Sequence, residues 1–145
     1  MSASVRVQIL GVLLTLVWLQ AACGKDDSSS TAPSTPGTAT EFFNGDLAVN
    51  ASIFYSFTVT NAGNVSITLA SLNSSNLAAA SRTTVGLGLG IPEGTGCALS
   101  SSITTVPGFV AQLTSSQSPG IYCVNIADVG TLTATLKFSV RIVHP

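Results

Sequence analysis

Histidine, cysteine and carboxylate side chains are the groups through which this chain would do chemistry, and they are few. One His (His144), three Cys (Cys23, Cys97 and Cys123) and six Asp or Glu stand among 145 residues. Nucleophilic catalysis by one of the many serines requires a base within hydrogen-bond reach, and the sole imidazole lies in the last two residues, where fraying is the default. Glu41, Asp46, Glu93 and Asp128 are widely spaced, and nothing marks a glycosidase-type carboxylate pair among them. The run Gly86-Leu87-Gly88-Leu89-Gly90 lacks the Lys and the helix of a phosphate loop, so a strand with close backbone packing is the better reading. Asp128, in Ala127-Asp128-Val129-Gly130, has the chemistry of a calcium ligand, but one Asp before a turn Gly reads more simply as a hydrogen-bonding turn residue. No catalytic residue, metal or cofactor is therefore assigned.

Cys23 sits in a different context. Arg6 precedes an uncharged apolar run, Ile9 to Leu19, that ends in Gln20-Ala21-Ala22-Cys23. This is the plan of a signal peptide over residues 1–22: a positive start, a short apolar core and small residues before the cut. As a helix the run covers roughly 17 Å, against a hydrocarbon core of about 30 Å, so a permanent transmembrane helix is the weaker reading. Ala21-Ala22-Cys23 resembles the bacterial lipobox, with Gln20 where that family prefers Leu. The resemblance implies lipidation of Cys23 and anchoring in a membrane, where each buried CH₂ contributes about 0.8 kcal/mol. An ordinary signal peptide cut near Ala22 is the alternative, and it would leave a free thiol. Gly24 is not the Asp that retains some lipoproteins at the inner membrane, which points to the outer membrane of a bacterial envelope, on its periplasmic or its surface side. Lys25-Asp26-Asp27 resembles a surface-display signal, although a solvated charge cluster is the simpler account.

Residues 23–40 continue as a Ser/Thr/Pro-rich tether: from Ser28 to Thr40 no apolar residue is larger than Ala or Pro. Such a segment buries too little surface to offset its ordering entropy. With Cys23 used for lipid, Cys97 and Cys123 remain, an even number in an oxidising compartment. A disulfide between them is expected, closing a loop whose chain-entropy contribution is roughly 3 to 4 kcal/mol. A metal site at these cysteines lacks partners.

The elements that must position these groups lie in residues 41–145, where apolar residues recur every second position. Ile53, Tyr55, Phe57 and Val59 alternate with polar neighbours, and so do Val65, Ile67 and Leu69 after the turn Asn61-Ala62-Gly63-Asn64. These predict a hairpin with one buried face, and Phe57 and Ile67 in the core. A long last strand is expected from Thr131 to Ile142, with shorter ones at 83–89, 102–106, 109–113 and 121–126. Only residues 77–81 (LAAAS) have helix propensity, enough for one turn at most. Short strands at this spacing specify an all-β fold, an antiparallel β-sandwich or barrel, as a single domain. Lys137 and Arg141 are expected as solvated charges that discourage sheet-to-sheet aggregation.

The runs YSFTVTNAGNVSITLASL (Tyr55 to Leu72) and PGIYCVNIADVG (Pro119 to Gly130) resemble the pre-peptidase C-terminal domain, a jelly-roll-like sandwich of secreted bacterial proteins. The ending YCVNIADVG to HP is also similar to that of bacterial envelope lipoproteins of comparable length. Neither resemblance implies an activity. Five Lys or Arg against six Asp or Glu leave no basic stripe for phosphates, so nucleic acid is excluded as a partner. The expected function is that of a non-catalytic, lipid-anchored binding or structural module, with an envelope protein or a glycan as partner. The alternatives are a carbohydrate- or calcium-binding accessory module and a hydrolase.

Overall fold

The computed structural model describes residues 37–74 and 83–145. The leader, Cys23, most of the tether and the 77–81 segment lie outside the described residues. Among the described residues there is no helix, and hence none long and apolar enough to cross a membrane. Eight strands form: β1 Ala39–Leu47, β2 Ser52–Val59, β3 Gly63–Ser74, β4 Val85–Glu93, β5 Gly96–Thr105, β6 Leu113–Gln117, β7 Gly120–Asp128 and β8 Leu136–His144.

They make two antiparallel four-stranded sheets, ordered β1-β8-β3-β6 and β2-β7-β4-β5. The pairing has a simple origin. β4 and β5 are a hairpin, and β3 with β6, β2 with β7 and β1 with β8 extend it as a two-stranded ribbon. Rolling that ribbon brings β8 against β3 and β7 against β4, which produces the jelly roll. Alternate residues of both sheets point inward. Leu47, Val65, Ile67, Leu69, Val140 and Ile142 from one sheet meet Val59, Val85, Leu87, Leu89, Val124 and Ile126 from the other, all essentially inaccessible. Phe57 (4% exposed) and Ile67 (0%) both lie in this core.

Several sequence expectations are corrected. The segments at 53–60 and 65–70 are strands, but they do not form a hairpin. β2 pairs with β7 in one sheet, and β3 pairs with β8 and β6 in the other. Residues 60–62 carry the chain from sheet to sheet, and both strands still face one core, which alternation alone cannot distinguish from in-sheet pairing.

The strand expected at 109–113 is instead Leu113–Gln117. Residues 106–112 cross between the sheets, and their backbone bonds β3 through Gly108 N to Leu69 O (2.9 Å) and Gln112 N to Ile67 O (3.0 Å). β8 begins at Leu136 rather than Thr131, because 131–135 form a loop, although Leu132 does reach the core. β5 starts at Gly96, earlier than the polar run suggested.

β1 has no counterpart among the expected strands. It takes Ala39 and Thr40 from the tether, because their backbones pair with His144 and Val143. Such recruitment depends on a free strand edge and not on apolar side chains.

Candidate functional site

The structure assembles three residues that are distant in sequence. Pairing of β1 with β8 turns Ala39, Glu41, Phe43, Gly45 and Leu47 toward the second sheet, so Glu41 faces β2. There the Tyr55 hydroxyl donates to Glu41 Oε2, and His144 Nε2 lies 2.9 Å from Glu41 Oε1. His144 Nδ1 lies 3.1 Å from Pro145 O, and its ring packs 5.2 Å from Phe57. Phe43 stacks on Tyr55 at 5.5 Å and meets Phe138 edge-on at 4.8 Å.

The expected fraying of His144 is thereby corrected. It ends a strand flanked by β1 and β3, and it is 4% exposed. Burial pushes the Glu41 carboxyl upward, but the hydrogen bonds from Tyr55 and His144, with the His144 charge, outweigh it and hold the group below its ordinary value. The same hydrogen bond raises the Tyr55 phenol, with burial adding to it. The cluster ties the first strand, the second and the last together across the two sheets. Nothing in the sequence marks it, because its members are separated by 14 and 103 positions.

Cys97 of β5 and Cys123 of β7 are joined, with Sγ–Sγ 2.01 Å and Cα–Cα 5.9 Å. Asp128 closes the loop after β7. Its Oδ2 accepts from Asn50 N, and its Oδ1 accepts from the amides of Gly130, Thr131 and Leu132. These amides, Asn50 foremost, lower the carboxyl's pKa despite slight desolvation. Both oxygens are directed at backbone donors, which is a turn residue's use of a carboxylate and not a cation ligand's. Among the described residues no group of three or more His, Cys, Asp or Glu is placed to hold a metal ion.

Lys137 meets Asp46 at 2.9 Å in a largely exposed pair, whose contribution is about 0 to 1 kcal/mol. Arg141 differs from the expectation of a solvated charge. It is half-buried, with Nε covered, on the outer side of β8 between Phe42 of β1 and Thr68 of β3.

The outer face of the second sheet carries a groove. Val85, Leu87 and Leu89 point into the core, so Gly86 and Gly88 point outward and leave β4 bare of side chains there. An open depression of about 280 Å³ lies over them, bounded by Leu99, Ser102, Asn125 and Val129 among others. The walls lean into the space the glycines vacate. A Cβ on Gly88 would stand 2.8 Å from the Leu99 methyls, and one on Gly86 would stand 3.3 Å from Val129 Cγ1. Asn125 is held by Nδ2 donating to Ser52 Oγ at 2.7 Å, which leaves its amide oxygen as an acceptor. Small, uncharged and amphiphilic, this groove has both polar and apolar walls. No protein-family model matches the chain, and no curated protein matches it.

Proposed function

We propose that this chain is a bacterial envelope lipoprotein, anchored in the outer membrane through Cys23. Its jelly roll, similar to pre-peptidase C-terminal domains, serves as a non-catalytic binding or structural module. The observation that carries the binding reading is the glycine-floored groove on the β2-β7-β4-β5 sheet. Its walls offer hydroxyl and amide groups beside aliphatic ones, a mixture suited to a neutral partner such as an envelope glycan or an uncharged protein segment.

A catalytic reading is disfavoured by the state of the one imidazole. A general base needs a ring nitrogen directed at a nucleophile, and both nitrogens of His144 face oxygens of the fold, those of Glu41 and Pro145. Two measurements test the proposal. Replacing Cys23 by Ser should move the protein from the membrane to the soluble fraction, and retention would sink the anchoring reading. Co-sedimentation with isolated envelope glycan should be seen for the wild type and lost with Gly88→Val, which displaces Leu99. If neither protein sediments, the glycan partner is wrong.

A further inference from the structure

We propose that the sandwich edge made by β5 and the crossover 106–112 rests on a lipid bilayer, with Phe109 and Val110 inserted as its tip. Phe109 is 97% exposed and Val110 79%, and Val106, Leu99 and Ile103 add further exposed apolar surface along the same edge. Clustered exposure of this kind marks an interaction surface.

The tip is held out by its base. Gly108 N donates to Leu69 O at 2.9 Å and Gln112 N to Ile67 O at 3.0 Å, while the Gln112 side chain accepts from Leu69 N at 2.8 Å. These bonds fix Gly108 and Gln112 to β3, and the two side chains between them project into solvent.

The choice of a bilayer over a protein partner rests on shape, charge and tether length. A convex pair of apolar side chains needs a counterpart that yields, and a membrane interface accepts Phe and aliphatic residues to a depth of about 5–10 Å. No Asp, Glu, Lys, Arg or His occurs between Glu93 and Asp128, so lowering this edge into the interface desolvates no ionised group of that stretch. Glu93 stands at the far end of β5, and Glu41, Asp46 and Lys137 lie on or beside β1, at the opposite edge.

The inference also rests on the reading of Cys23 as lipidated. Residues 24–38 separate that Cys from β1, and fifteen residues of random coil would span about 20 Å. The four-stranded sheet between β1 and the crossover is about 15 Å wide. A lipid on Cys23 would therefore permit the tip to reach the membrane.

The test uses the processed full chain in vesicles of phosphatidylethanolamine and phosphatidylglycerol carrying bromine-labelled acyl chains. Trp18 is the only Trp of the sequence. Processing removes Trp18 with the leader, so Phe109→Trp gives the processed chain a single Trp, and it should show blue-shifted emission that the bromines quench. Phe42→Trp, at the opposite edge, should report water and stay unquenched. Flotation with the vesicles reads the anchor separately. A chain that floats while Trp at 109 reports water overturns this inference alone, as does equal quenching at 42 and 109. A chain that does not float overturns both this inference and the anchoring reading.

Discussion

Gly90 lies directly beneath Ala98: a Cβ at position 90 would come within 2.0 Å of the Ala98 carbonyl oxygen. The contact arises from a bulge. Leu89 pairs with Ser101 but Gly90 pairs with Leu99, so Ser100 is the extra residue of β5, and its hydroxyl donates to Leu89 O at 3.1 Å. Beyond the bulge β5 leans over β4, and Cys97 thereby reaches Cys123 on β7, although β4 lies between the two strands. Neighbouring strands lie about 4.8 Å apart, so β5 and β7 would be about 10 Å apart in a flat sheet, too far for a disulfide.

Gly90→Ala should therefore destabilise the domain by at least about 1 to 3 kcal/mol, since backbone must move to admit the methyl. Gly37→Ala, whose Cβ would meet nothing within 4 Å, should change stability little. Urea unfolding of the two variants makes the comparison, and equal midpoints would show that the close approach at Gly90 is not a constraint.

Removing the bridge should cost about 2 to 5 kcal/mol. Cys97→Ala and the double variant Cys97→Ala/Cys123→Ala should lose similar amounts, with any excess in the double variant reflecting the cavity at the fully buried Cys123. Thiol counting on the unfolded, unreduced protein checks the bond directly. Reactive thiols at both positions would end the claim.

Phe57→Ala should cost about 3 to 5 kcal/mol, because Phe57 fills the core between the sheets. Thr58→Ala should cost well under 1.5 kcal/mol, since Thr58 is exposed on the same strand. Comparable melting shifts would mean that β2 is out of register by one residue.

The Glu41 cluster predicts opposite effects at the two ends of the pH scale. Glu41 has a lower pKa folded than its ordinary 4.5, so its contribution is present above about pH 4.5 and is lost as pH falls through the lower, folded value. Tyr55 is raised above 10.0, so the contribution of its neutral form is complete below pH 10 and is lost as pH rises through the folded value. Glu41→Gln should flatten the acid limb of stability against pH and bring the ultraviolet titration of Tyr55 back toward that of a free phenol. An unchanged Tyr55 titration would contradict the pairing.

What the sequence determined by itself was which side of β2, β3 and β8 is buried. The alternation Ile53 to Val59, Val65 to Leu69 and Leu136 to Ile142 identifies the inward residues, and a small chain with two cysteines beyond Cys23 has one intramolecular bridge available between them. Tertiary structure decided which strand lies beside which. Backbone hydrogen bonds are alike at every residue, so period two says that Phe57 and Ile67 face a core but not that they face it from opposite sheets. The same holds for Ala39 and Thr40, recruited to β1 by pairing alone, and for Phe109, whose apolarity suggested a strand where the chain crosses between sheets. Glu41, Tyr55 and His144 could not be joined from their positions in sequence, because only the rolling of the ribbon brings the first and last strands side by side with β2 facing them.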